Sequence, residues 1–196
     1  MKRYILFSNP QMDDINKVVE LMFPPEIQNR KVGYVPPNGS KSPKIYETYW
    51  REKVETFSAK LEFVDVTTKK SISLIRNLNI LLLTGGNTFE FLYNLKKNGL
   101  LSEIRKRFSP NNNIDTVVAG FSAGAILQTP TIQIANLPPL DKNCVGLTDL
   151  EALNFVDFQI FPHYQEKQRQ MMIDYSLKNQ VSVKPLSDDE YLVVDK

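Results

Sequence analysis

The sequence predicts an α/β fold: a mostly parallel central sheet flanked by helices on both faces, a flavodoxin-like three-layer sandwich formed by residues 1–196 as a single domain. Three observations point there. Short apolar runs alternate with longer segments of helical periodicity, the pattern of βαβ units whose sheet is covered on both faces. Chain breakers fall between these segments, at "FPPE" 23–26, "PPNGSKSP" 36–43, "SPNNN" 109–113 and "NLPPLDKN" 136–143. The right-handed crossover rule then gives a doubly wound sheet, with a ligand site at the carboxyl ends of its central strands.

The expected strands, in order, are "RYILF" 3–7, "KVGYV" 31–35, "LEFVDV" 61–66, "NILLL" 79–83, "DTVVAG" 115–120, "DFQIF" 157–161 and "EYLVV" 190–194. Helical periodicity covers 12–22, 44–59, 70–77, 88–97, 99–108 and 166–178. The last two strands have shorter or irregular approaches, which predicts mixed pairing at one sheet edge.

At 196 residues the chain can bury a full core. Its 24 basic and 22 acidic residues leave +2, with no sustained basic run, so nucleic acid and membrane surfaces are not expected partners. Cys144 is the only cysteine, which excludes an internal disulfide and argues against a thiol nucleophile or a cysteine-based metal site. The apolar run near the start is too short for a signal peptide, and no stretch approaches the roughly 20 residues of a membrane-spanning helix. A cytoplasmic location is the default expectation.

Gly120-Phe121-Ser122-Ala123-Gly124 matches G-x-S-x-G, with a strand before it and an apolar helical stretch after it. Two readings compete: a strained turn exposing a serine nucleophile, or a tight crossover built of small residues. The first predicts unfavourable backbone dihedrals at Ser122. A second glycine turn lies in "LLLTGGNTFEFL", 81–92, where Asn87 or Thr88 can cap the following helix. It is either an ordinary βα turn or a nest of backbone N–H groups. In the second case the Gly86 N–H pairs with that of Ala123 as an oxyanion hole, and Asn87 and Thr88 are candidate substrate contacts.

His163, in "IFPHYQ", is the sole histidine and is expected at the same sheet edge as Ser122. No other imidazole can activate that serine. Between the two lie four carboxylates. Asp157 begins the strand that leads to His163 and is expected at its far end, Asp149 and Glu151 in "LTDLEALN" read as solvated, and Asp141, in a Pro-rich loop, is free to reach the site or to be a surface charge.

Taken in order, "TGGNTFEFL", "GFSAGA" and "FPHY" resemble the peptidase E family, the S51 serine peptidases, which share the class I glutamine amidotransferase-like fold. "LFSNP", "NGLL", "PTI" and "EALNFVDFQIFPHY" extend the likeness over most of the chain. The resemblance implies Ser122 as nucleophile, His163 as general base and then acid, and the Gly86 and Ala123 N–H groups as oxyanion hole. Its acid falls on Asp141 when aligned back from "FPHY" and on Leu137 when aligned forward from "GFSAGA". Asp141 is the preferred assignment, with a Ser-His dyad as the alternative. Short peptides are the implied substrates, in peptidase E those with an N-terminal aspartate, read partly by an arginine beyond the histidine. Arg169 is the candidate here, although Glu166 can equally occupy that position. A monomer or homodimer needing no metal or organic cofactor is expected. The alternatives are a non-catalytic ligand-binding member of the fold and a serine hydrolase acting on a non-peptide substrate.

Overall fold

The computed structural model describes all residues except Asn29, Pro139 and Leu140. Its main sheet is built from β1 (Lys2–Phe7), β2 (Lys31–Val35), β3 (Lys60–Phe63), β4 (Ile80–Leu83), β5 (Thr116–Phe121) and β8 (Tyr191–Asp195), in the order β3-β2-β4-β5-β1-β8. Every pairing is parallel except β1 with β8, which is the mixed edge expected of the last strand.

The helices are α1 (Ile15–Leu21), α2 (Lys44–Glu55), α3 (Ser71–Ile75), α4 (Thr88–Lys97), α5 (Leu100–Phe108), α6 (Ala123–Ile126) and α7 (Arg169–Asn179). All but α6 lie within or beside the six expected segments, and α6 is the apolar helical stretch that follows Ser122. Side chains alternate across each strand, so β1 sends Tyr4 and Leu6 to one face and Ile5 and Phe7 to the other. The first face packs on Leu92 and Leu95 of α4 and Ile104 of α5; the second packs on Val18 and Val19 of α1 and Trp50 and Val54 of α2. Both faces are buried, which is why "ILLL" in β4 is apolar at every position. Trp50 is core, 1% exposed and stacked on Phe121, whereas Tyr46 is exposed.

One expectation is corrected. The run at 157–161 forms β6 (Gln159–Pro162) but does not join the main sheet; it pairs in parallel with β7 (Val183–Leu186) as a separate two-stranded sheet. β7 escapes a sequence reading because "VKPL" carries a lysine and a proline, and proline is tolerated only at edges.

Candidate active site

β4, β5 and β1 are adjacent in the sheet, and all three point their carboxyl ends the same way. The residues that follow them therefore converge. Gly85 and Gly86 follow β4, Ser122 follows β5 and Ser8 follows β1. Parallel topology alone creates this meeting point.

Ser122 has φ 50° and ψ −116°, a conformation an L-residue rarely adopts, and its N–H donates to the Phe7 carbonyl at 3.1 Å. The flanking glycines explain how the turn closes. A Cβ on Gly120 would lie 2.4 Å from the Gly124 carbonyl oxygen, and one on Gly124 only 2.1 Å from that of Leu83. Only hydrogen fits at either position.

The second glycine turn packs against this one: a Cβ on Gly85 would sit 2.9 Å from the Phe121 ring and 3.3 Å from the Ser122 Cβ. Gly86 has φ 141°, open to glycine and strained for other residues. Neither the Gly86 nor the Ala123 N–H has a hydrogen-bond acceptor among the described residues. Asn87 caps α4, its side chain accepting from the Glu90 N–H at 3.0 Å and donating to the Lys142 carbonyl at 2.9 Å.

His163 follows β6, also at positive φ (57°), and its Nε2 lies 3.0 Å from Ser122 Oγ. The carboxylate against its other nitrogen is Asp188: Nδ1 and Oδ1 are 2.6 Å apart. The pairing of β6 with β7 explains the contact. Pro162 is in register with Leu186, and the Tyr164 N–H donates to the Leu186 carbonyl at 3.0 Å, so the turns after the two strands leave side by side.

Ser8 joins these groups. It is fully buried, its hydroxyl oxygen accepts the His163 backbone N–H at 2.6 Å, and the hydroxyl donates to Asp188 Oδ1 at 3.2 Å. The Nδ1 of His163 lies 3.4 Å away. Ser8 thus holds the histidine backbone with its lone pair and the carboxylate with its proton.

The expected acid, Asp141, is placed elsewhere, a correction to the sequence expectation. Its Oδ2 accepts the Thr88 N–H at 2.8 Å and the Thr88 hydroxyl, at the amino end of α4. A carboxylate there satisfies an orphan helix N–H and the positive end of the helix dipole. Asp149 pairs with Lys96 at 2.6 Å and Glu151 faces Arg105 at 3.9 Å, while Asp157 is exposed. Arg169 bonds Glu166 at 3.0 Å on the surface, both side chains more than two-thirds exposed. Hydrogen bonds from Tyr164 and then Arg169 hold the Glu166 carboxyl below its usual range.

Between the glycine turns and His163 is a pocket of about 90 Å³. Ser122, His163, Thr88 and Asp141 line it together with apolar walls that include Ile126 and Phe161. Asn87 and Arg169 are not among its lining residues. Asp188 and Ser8 are the residues of this constellation that sequence reasoning missed. A faint signal existed for each: Ser8 ends the first strand at the Ser122 edge, and Asp188 precedes the last strand in "SDDEYLVV".

Comparison with known proteins places the chain in a family. Residues 5–196 match the model of peptidase family S51. An uncharacterized peptidase of Listeria monocytogenes, Lmo0363, is 26% identical over 88% of this chain and 85% of its own length. Peptidase E of a Nostoc species is 35% identical over 49% of this chain and 36% of the relative. Among solved structures, a Listeria monocytogenes EGD-e protein assigned to peptidase E superposes with a TM-score of 0.74 at 26% identity, covering 99% of this chain and 94% of the other. A peptidase from an acI-B1 actinobacterium shares the fold, with a TM-score of 0.70 at 14% identity and coverage of 99% and 83%. The fold is accordingly the class I glutamine amidotransferase-like sandwich of the peptidase E proteins, and the chain belongs to peptidase family S51.

Proposed function

We propose that the protein is a serine peptidase that hydrolyses short peptides through Ser122, His163 and Asp188. The observation that carries this reading is the continuous line from Ser122 Oγ to His163 Nε2 at 3.0 Å and from Nδ1 to Asp188 Oδ1 at 2.6 Å. Both distances are within direct proton-transfer or orienting reach.

In the proposed reaction, Nε2 takes the Ser122 proton as Oγ attacks the scissile carbonyl carbon. The oxyanion is held by the Gly86 and Ala123 N–H groups, which have no acceptor among the described residues. Transfer of the proton from Nε2 to the leaving amine breaks the C–N bond and leaves an ester on Ser122. Water, deprotonated by His163, then releases the acid and restores the hydroxyl.

Asp188 takes the role that the resemblance placed on Asp141. It accepts the Nδ1 proton, which leaves Nε2 as the basic nitrogen, and it stabilises the imidazolium formed in each half-reaction. Ser8 acts as a positioning residue. By holding the His163 backbone and Asp188 Oδ1 together, it keeps the ring turned toward Ser122. The positive φ of Ser122 fits a nucleophile elbow, in which the hydroxyl stands clear of the sheet.

Labelling by a fluorophosphonate probe with mapping of the modified residue, alongside turnover of a dipeptide panel, tests the reading. Ser122 is the expected site of modification, and Ser122→Ala abolishes both labelling and turnover. A native protein that neither labels at Ser122 nor cleaves any amide or ester overturns the hydrolase reading and leaves a ligand-binding member of the fold. Cleavage of esters or non-peptide amides alone redirects it to another acyl substrate.

A further inference from the structure

Once Asp188 occupies the Nδ1 side of His163, Asp141 no longer needs to support the imidazole. It remains a wall of the pocket that opens on Ser122. Its Oδ2 is saturated by two donors from Thr88, while Oδ1 has no partner among the described residues. Among the described residues no lysine or arginine lines this pocket, and Asp141 and His163 are its only titratable side chains. The cation expected to read an acidic substrate, Arg169, is on the surface and bound to Glu166. Much of the remaining wall is apolar, with Ile126, Ile134, Leu137 and Phe161.

Such a pocket is built for a positive group beside an uncharged one. A carboxylate in an apolar pocket gains most from a cation that shares its desolvated surroundings. An aspartyl side chain there would bring a second carboxylate to a pocket whose one substrate ammonium is already paired with Asp141, with no lining lysine or arginine to offset it, a like-charge juxtaposition that disfavours binding.

We propose that Asp141 binds the free α-ammonium group of the substrate peptide, and that the pocket selects an N-terminal residue with an uncharged side chain over an aspartyl one. This rests on the serine peptidase reading for the position of the scissile bond, but the recognition itself does not need catalysis. The ammonium donates to Oδ1, the side chain lies on the apolar wall, and the first peptide carbonyl is brought to Ser122 Oγ.

Binding to the intact but acylation-incompetent Ser122→Ala chain tests the proposal by calorimetry. Alanyl-leucine is expected to bind at least tenfold more tightly than N-acetyl-alanyl-leucine or aspartyl-leucine. Adding Asp141→Asn is expected to erase that preference. Equal binding of the three, tightest binding of the aspartyl peptide, or binding of none overturns the proposal. So does a preference that survives Asp141→Asn. Should the double variant fail to fold, the three-peptide comparison in Ser122→Ala still decides. A native chain that shows the binding preference but does not label or turn over sinks the hydrolase reading alone; one that labels and cleaves without preference sinks this proposal alone.

Discussion

Asp188 Oδ1 and His163 Nδ1 lie 2.6 Å apart although 25 residues separate them, because the strands that precede them pair in parallel with Pro162 opposite Leu186. The contact is a product of register. Shifting that pairing by one residue would turn every side chain of one strand to the opposite face and carry its following turn out of reach.

If Asp188 orients the imidazole, Asp188→Asn lowers kcat by roughly 10³ to 10⁴-fold, because an amide in this position favours the wrong tautomer. KM changes little. With half of the Asp188 side chain exposed, stability is affected only slightly. Steady-state kinetics and thermal unfolding of this variant check both. A loss of less than threefold in kcat removes Asp188 from the mechanism.

Ser8→Ala strips a fully buried hydroxyl from the His163 N–H and from Asp188. The unsatisfied N–H should cost about 1–3 kcal/mol in denaturant unfolding. A looser ring should cost on the order of tenfold in kcat with KM preserved, and should move the pH profile of kcat. A purely structural serine would lower the amount of folded protein and leave the kcat of the folded fraction and its pH profile unchanged.

The two glycines around Ser122 are steric requirements. Gly124→Ala drives a Cβ into the Leu83 backbone carbonyl at 2.1 Å, so the strand or the turn must move. Destabilisation of about 1–3 kcal/mol or more is expected. Gly86→Ala acts on catalysis instead: a residue with φ 141° and a Cβ 2.6 Å from Pro37 shifts the turn. If the Gly86 N–H serves as an oxyanion donor, displacing it should lower kcat by roughly 10² to 10³-fold at near-constant KM.

The antiparallel edge strand β8 is tied to β1 by Arg3, whose Nε and Nη2 donate to the two Asp195 oxygens at 2.8 and 3.0 Å. That hydrogen bonding lowers the Asp195 carboxyl below its usual range. Because the folded-state value is the depressed one, the stabilisation is present above the unfolded value and is lost as pH falls through the folded value. Asp195 is half exposed and screened by solvent, so Asp195→Asn should cost at most about 1 kcal/mol near neutrality. At a pH below both values the variant and the parent should unfold alike, as denaturant melts at two pH values would reveal.

Much of the site is legible in the sequence because it is local. Glycines two residues before and two after Ser122, after a strand and before a helix, admit few backbone paths, and the strained dihedrals at Ser122 follow. The asparagine after Gly85 and Gly86 is the cap of α4, as its position predicts. His163 needed only to be the sole imidazole at the end of an apolar run. Asp188 was not legible: it lies in an acidic turn, after a strand whose lysine and proline hide it, and beyond the histidine rather than before it. Asp141 attracted the assignment through its loop and its place in the family likeness, but the N-terminus of α4 is a nearer claimant for its charge.

The sequence by itself therefore determined the layered α/β architecture, the strained serine turn and the single available imidazole, since each depends on periodicity, on the sterics of a few consecutive residues or on composition alone. Tertiary structure alone decided which carboxylate meets His163, that Ser8 braces the pair, and that Asp141 faces the pocket. Those outcomes depend on the register of β6 against β7 and on the order of β4, β5 and β1 in the sheet. Hydrogen bonds reach only about 3 Å, so which distant groups meet is settled by register and strand order, which local sequence patterns do not specify.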